Sequence, residues 1–444
     1  MKGPVPFLVA AAMACVLTEQ ISAQPQGVDN TGQTESLPWL QWDDATGDWW
    51  RNRPLFTDKG FDFTATYTAQ VWGNVAGGLE QNAAYFGLLQ FGLGIDLEKA
   101  VGWKGASFNT TWIWTMGDQI TVPFIGSDFA VSGIEAPRGF RALDLWLQQK
   151  FFGDKFTLRA GMFNADRDFT ISEYSSFFLN SAFGWPLVYD GRLGGQPTYP
   201  YAAPGIYAAW QPAEGWIFQT AVMQGAAYTQ DANFYWNFDR MNGLMFLGES
   251  IYSWRKAELP GTAKLGAVFQ TGYLDVAGSD GEYAWGGGFY YGIVDQSLYV
   301  EPGSTEDTPQ GLGWFGRGGF AAPQQTSSVG FIVQSGLVYT GPFPGRDHDS
   351  IGLAFAWDQE SRGEASTLTG GNRGLEMIFE ASYQAQISPW FSVQPDIQIH
   401  SATRGQHGDT ECPRARAECV RRLLKKWIRK TYTKPHGHFP NPSA

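Results

Sequence analysis

Apolar and polar residues take turns along strand-length stretches from Phe61 to His400, and this period of two restricts the fold more than any other feature of the chain. Phe61, Phe63, Ala65, Tyr67, Ala69 and Val71 are interleaved with Asp62, Thr64, Thr66, Thr68 and Gln70. Leu89, Phe91, Leu93 and Ile95 are interleaved with Gln90, Gly92, Gly94 and Asp96, and Leu143, Leu145 and Leu147 with Asp144, Trp146 and Gln148. Later, Leu375, Met377, Phe379, Ala381 and Tyr383 alternate with Glu376, Glu380, Ser382 and Gln384, and Phe391, Val393, Ile397 and Ile399 with Ser392, Gln394, Asp396 and Gln398. Successive side chains of a strand point to opposite faces, so each segment has one apolar and one polar face. A soluble sandwich alternates too, but a face turned to bulk water favours Lys and Glu. Here the polar positions hold Gln, Thr, Gly, Asp and Ser, which suits a crowded, wet lumen. Segments ending near Trp112, Trp114, Trp210, Tyr273, Trp357 and Trp390 fit the aromatic girdles of a membrane barrel.

Composition narrows the choice further. Aromatic residues reach 16% while Lys, Arg, Asp and Glu make up only 17%, against roughly 25% charged in soluble domains. After position 23 there is no apolar run of about 20 residues, so spanning by helices is excluded. The cysteines are Cys15, Cys412 and Cys419, which leaves the body of the chain without a disulfide or a thiolate metal site. A closed sheet, with every strand paired, supplies stability by another route.

Residues 1–23 read as an export signal: Lys2 gives the positive end, Phe7 to Leu17 the apolar stretch, and Ile21-Ser22-Ala23 the cleavage site. Ala12-Met13-Ala14-Cys15 offers a poorer match to a lipoprotein signal. Residues 24–60 then form a periplasmic segment ahead of the barrel, 61–400. Short links at Gly153-Asp154, Pro212 to Glu214, Pro260-Gly261 and Ser388-Pro389 alternate with long ones at Gly117 to Gly139, Asn164 to Ala203, Gly225 to Met245 and Asp358 to Arg373. Short turns on one side and long loops on the other are the pattern of a bacterial barrel. About fifteen strands are visible between Phe61 and His400, whereas single-chain bacterial barrels have even counts. The expected fold is therefore an all-β, antiparallel transmembrane barrel of about sixteen strands whose closing strand is lost.

The chain changes character after His400. Residues 401–444 carry ten Lys or Arg against three Asp or Glu, while residues 1–400 carry 21 against 40, and the alternation stops at the same place. A change of reading frame near codon 401 accounts for the odd strand count, the charge reversal and the lost periodicity together. The alternative is a basic amphipathic helix with Leu423, Leu424, Trp427 and Ile428 on one face.

Catalytic chemistry finds little support. No histidine precedes His348, which removes a Ser-His or Cys-His pair from most of the barrel. Gly286-Gly287-Gly288 lacks the Lys-Ser and helix of a phosphate loop. Asp166 and Asp168 flank Arg167 and read as an ion pair or a solvated loop rather than a glycosidase pair. No cofactor, metal or energy source is expected. The longest loop, by contrast, follows the strand Phe156 to Phe163 and gathers Arg167, Asp168, Glu173, Phe178, Trp185 and Arg192, with Arg159 on the strand itself and Asp144 on the strand before. A wide lumen needs narrowing to become selective, and an inward loop is the simplest constriction. Hydroxyls suit charged groups and sugar C–H faces suit aromatic rings, with contacts weak enough to release the solute.

Leu158-Arg159-Ala160-Gly161-Met162-Phe163, Asp168-Phe169 and Phe178-Leu179-Asn180-Ser181-Ala182-Phe183 resemble the signature of the carbohydrate-selective outer-membrane porins. Gly47-Asp48-Trp49, with Arg53, Leu55, Lys59 and Gly60, resembles that family's approach to its first strand, and Asp295-Gln296 with Leu298-Tyr299 is a weaker match. The resemblance covers about residues 40 to 399. It implies a sixteen-stranded monomer, rather than a trimer, in the outer membrane that passes glucose and related sugars. Expected partners are small carbohydrates, outer-membrane lipid and the barrel assembly machinery, and not nucleic acid. Family members end in a strand with a terminal aromatic residue, whereas this tail ends at Ala444. A barrel serving as an enzyme or adhesin is the alternative function.

Overall fold

The computed structural model describes residues 8–19, 38–47, 49, 52–186, 196–227, 234, 236–238, 240–256, 259–277, 279, 281–305, 309–363 and 374–402. The strands are β1 (Leu8–Glu19), β2 (Phe61–Ala76), β3 (Ala83–Asp96), β4 (Ala106–Gly117), β5 (Gly139–Phe151), β6 (Phe156–Phe163), β7 (Ala203–Ala213) and β8 (Trp216–Gln224). They continue as β9 (Leu244–Lys256), β10 (Leu259–Asp275), β11 (Tyr283–Val300), β12 (Gly311–Ala321), β13 (Val329–Thr340), β14 (Ser350–Glu360), β15 (Leu375–Ser388) and β16 (Phe391–Ala402). Each pairs antiparallel with its neighbour, and β1 lies between β16 and β2 to close the ring.

Fifteen strands thus run from Phe61 to Ala402, as the alternation indicated, and the expectation of a missing sixteenth is corrected from the other end of the chain. Leu8 pairs with His400 and Leu17 with Phe391 on one side, while Ala12 pairs with Trp72 and Val16 with Thr68 on the other. Leu8 to Leu17 is apolar at every position and does not alternate. Its place in the ring rests on backbone hydrogen bonds, which any non-proline residue supplies, and two unpaired strand edges in lipid would leave several kcal/mol per group unrecovered. The tail, 403–444, with both readings given to it, lies outside the described residues.

Register assigns the faces. Leu265 and Leu353 turn outward and are 70% and 64% exposed, whereas Gln398 points inward and is fully buried. Outward Trp114, Trp210, Tyr273 and Trp285 are exposed as a girdle requires. Trp390 departs from that expectation: it is buried beneath Trp39, ring centroids 4.3 Å apart, and its Nε1 donates to Trp39 O at 3.3 Å. Leu143 departs as well. A bulge between Thr111/Trp112 and the facing Ala142/Asp144 step carries it into the inner cluster with Leu88 and Ile113. Pro212 and Pro260-Gly261 lie within β7 and β10 rather than in turns, and Asp358 within β14.

The core sits inside the ring. Phe163, Met245, Phe289, Phe315, Ile332 and Ile378 pack there with Phe169, Phe178 and Phe183 of the β6–β7 loop. A second cluster joins Trp72, Ala84 and Phe86 to Ile120, Ile125 and Val131 of the β4–β5 loop.

Candidate functional site

The described residues of the β6–β7 loop, 164–186 and 196–202, fold into the lumen, and the wall holds them by their backbone. Gln219 on β8 donates to Asp168 O at 2.7 Å, and Glu249 on β9 accepts from Thr170 N at 3.2 Å. Asp295 on β11 accepts from Ser172 Oγ at 2.6 Å and from Glu173 N at 3.2 Å. Glu380 on β15 accepts from Leu179 N and Asn180 N at 2.6 and 3.0 Å, and Gln398 on β16 accepts from Asn180 Nδ2 at 2.8 Å. Arg317 on β12 is buried at the middle of this span. Its guanidinium donates to Thr170 O at 3.1 Å, Ser175 Oγ at 3.2 Å, Gly184 O at 2.6 Å and Phe183 O. Each loop group would otherwise be a buried orphan, so the wall carries a polar side chain opposite each.

Small wall residues receive the loop's rings. A Cβ on Gly313 would stand 2.0 Å from the Tyr174 ring, and one on Gly352 would stand 2.6 Å from the Phe177 ring. The β4–β5 loop braces the assembly from behind, through Gly133 N to Leu179 O at 2.8 Å and Ser181 N to Ala130 O at 2.9 Å.

Four of the expected site residues converge at the root of the loop. Arg159 grips Asp168 with both nitrogens at 2.6 and 3.2 Å, and its Nε donates to Gln148 at 3.1 Å. Its guanidinium lies over Trp146 and Tyr207, 4.7 and 4.6 Å from the ring centroids. Arg167 pairs with Asp144 at 2.6 Å and lies 5.1 Å from the Trp146 centroid. A planar cation that both bridges a carboxylate and stacks on rings is the role arginine fills best. Gly161 explains the glycine of the strand motif: a Cβ there would stand 2.3 Å from Leu145 O and 2.6 Å from Trp146 Cα, so nothing larger lets β6 close on β5. Beside this cluster Asp166 is half-buried. Its carboxylate accepts from Tyr199 N at 3.1 Å and Asn164 Nδ2 at 2.5 Å, yet burial pushes its pKa up to about 6.

The remaining candidates lie elsewhere. Phe178 is buried between Phe177, Phe183 and Phe315 and holds the loop down. Trp185 packs edge-on to Phe289 at 5.7 Å and donates to Gln196 at 2.9 Å. Glu173 borders a separate recess of 340 Å³ with Tyr174 and Arg255, and Arg192 lies outside the described residues. Toward the short turns, below the arginine cluster, a wider recess of 660 Å³ is lined by Trp146, Gln148, Asn109, Ser107, Asp62 and Lys150. Trp146 Nε1 and Asp144 Oδ1, both sealed from solvent behind it, have no hydrogen-bond partner. Trp146, Gln148, Arg317 and Glu249 were absent from the sequence-derived site. A signal existed for Arg317 in its isolation as a single charge within Gly311 to Ala321.

Residues 80–411 match the sequence profile of the carbohydrate-selective porin, OprB family. The chain belongs to this family. The porin is 25% identical to Porin B of Pseudomonas aeruginosa over 402 residues, covering 79% of this chain and 85% of the relative. It is also 25% identical to the putative porin QuiX of Acinetobacter baylyi over 438 residues, covering 89% and 94%. The high-pH structure of Pseudomonas putida OprB superposes with a TM-score of 0.71 at 21% identity, over 82% of this chain and 99% of that one. The low-pH structure of that protein gives 0.53 at 18% identity. The porin is thus a carbohydrate channel of the outer membrane, with the barrel fold expected from its alternation.

Proposed function

We propose that the porin passes neutral sugars by weak binding in the 660 Å³ recess beneath the β6–β7 loop, without catalysis. The observation that carries this reading is the polar lining of the recess, where Gln148, Asn109, Ser107 and Asp62 stand around the Trp146 side chain. Amides, hydroxyls and a carboxylate serve sugar hydroxyls, and the indole gives the C–H groups an apolar contact. Arg159, Asp168, Arg167 and Asp144 border the path as a fixed rim, since each is engaged in an ion pair. A ring of such pairs sets the width while leaving the solute to weaker contacts that release it. Glucose and related hexoses fit this chemistry, and a monomer inserted by the barrel assembly machinery suffices for it.

Current recordings in planar bilayers test the reading. Glucose should reduce open-channel current in a saturable way, and Trp146→Ala should raise the half-saturating concentration about fivefold, on the order of 1 kcal/mol of lost contact, with open conductance little changed. An open current indifferent to glucose, or a Trp146→Ala channel blocked as readily as the parent, removes the recess as the binding site.

Residues 1–23 serve two roles in this reading, first as an export signal and, where retained, as the closing strand. N-terminal sequencing of protein extracted from outer membranes distinguishes them. A start at Gln24 leaves the β2–β16 seam to another strand, and a start before Leu8 assigns the seam to β1.

A further inference from the structure

We propose that the tip of the β4–β5 loop binds a calcium-type divalent cation between Asp128, Asp358 on β14 and Glu376 on β15. One carboxylate oxygen from each of the three lies within 4.8 Å of the other two. Asp358 and Glu376 stand directly opposite each other in the β14–β15 ladder, both fully buried on the inner face. Asp358 Oδ1 accepts from Glu376 N at 3.0 Å, but Oδ2 is sealed from water and has no hydrogen-bond partner. The two wall carboxylates, Asp358 and Glu376, meet in a dry place, which is unfavourable without a counter-ion, and a buried carboxylate oxygen without a donor adds to the penalty. Among the described residues His400 approaches the pair, its Nδ1 3.9 Å from Glu376 Oε1 and 3.1 Å from Ser127 Oγ.

The ligand set is oxygen only, which selects a hard cation over zinc or copper. Calcium accepts irregular oxygen sets at about 2.3–2.6 Å, whereas magnesium demands near-ideal octahedral geometry, so a site assembled from a loop tip and two neighbouring strands suits calcium. The loop tip is already latched at this point: Asp128 N donates to Glu376 Oε2 at 3.1 Å, and Ser127 Oγ donates to Glu376 Oε1. A cation here joins the Asp128 carboxylate to the same wall. It thereby steadies Ala130 and Gly133, the residues that brace the β6–β7 loop. This site is remote from the Trp146 recess and does not depend on the sugar reading.

Calcium titrated calorimetrically into the full chain, folded in detergent and stripped with chelator, tests the proposal. One ion per chain should bind at submillimolar concentration, with magnesium at least tenfold weaker. Glu376→Gln and Asp358→Asn should each weaken binding at least tenfold, and Asp128→Asn, on the exposed tip where folding is not at stake, about threefold to fivefold. Glu98→Gln, on the short surface helix Leu97–Val101, should leave binding unchanged. Heat-modifiable migration on gels certifies that each variant is folded. Folded wild-type protein that takes up no calcium overturns the site. Binding that survives all three substitutions, or magnesium bound as tightly as calcium, overturns it equally.

Discussion

The two ends of the lumen are built on opposite terms. Toward the long loops, inward positions carry Phe289, Phe315, Ile332 and Ile378, and the charged side chains among them, Arg317, Glu249, Asp295 and Glu380, are each engaged by a loop backbone group. Toward the short turns, inward positions carry Ser107, Asn109, Gln148 and Lys150, which border an open recess. The first end is a protein core enclosed by a barrel, dry and, at these four side chains, satisfied. The second is a channel wall that keeps its hydrogen-bonding capacity for water and solute. The same β5 strand serves both ends, with Leu143 in a packed cluster and Gln148 in the recess.

That contrast breaks most severely at Arg317. Arg317→Met strands the loop carbonyls of Thr170 and Gly184, at about 1–3 kcal/mol each, while Phe183 O keeps its bond from Ser175 Oγ, so unfolding in urea should show a loss of about 4 kcal/mol. Single-channel conductance should rise and become noisy as the β6–β7 loop leaves the lumen. Arg159→Met removes one pair at the boundary between the two ends. Asp168 retains some access to water, with 14% of its side chain exposed, so the loss should be about 3 kcal/mol, at the low end for a broken buried pair. Glucose block should weaken as well, because Trp146 loses the cation stacked on it. A variant as stable as the parent would mean that the loop holds its place without this pair.

The smallest effect sharpens the comparison through pH. Asp166 is held at about 6, above the ordinary aspartate value of 3.8, by burial. A raised carboxyl pKa means that the folded loop binds the proton more tightly than the unfolded chain does. Its contribution is therefore greatest below about pH 4, declines as pH rises through the window to about 6, and is level above that. Stability followed from pH 4 to 7 should show this decline, on the order of 2 kcal/mol, and Asp166→Asn should flatten it. A slope unchanged in Asp166→Asn would assign the decline to another carboxyl.

Much of this was legible in the chain. Fifteen strands, the outward girdle at Trp114 and Trp210, and the arginine-rich start of the long loop all follow from local spacing. The site was legible only in part. Arg159, Asp168, Arg167 and Asp144 do meet, but Trp146, Gln148 and Arg317 join them or hold the loop through contacts between segments far apart in sequence. Phe178 carried the right motif and a different task, packing on Phe315 rather than facing the path.

By itself, the sequence determined that this protein is a barrel, because a period of two gives each strand its two faces whatever its neighbours are. It also determined which side chains turn inward, except where a bulge resets the alternation, as at Leu143. Only the tertiary structure decided which of those inward residues form a core, which grip a loop and which remain open, because that depends on where the β4–β5 and β6–β7 loops come to rest. It also decided that Leu8–Glu19 completes the ring. The pairing of a strand edge draws on backbone groups that every non-proline residue shares, so no side-chain pattern in that segment announces it.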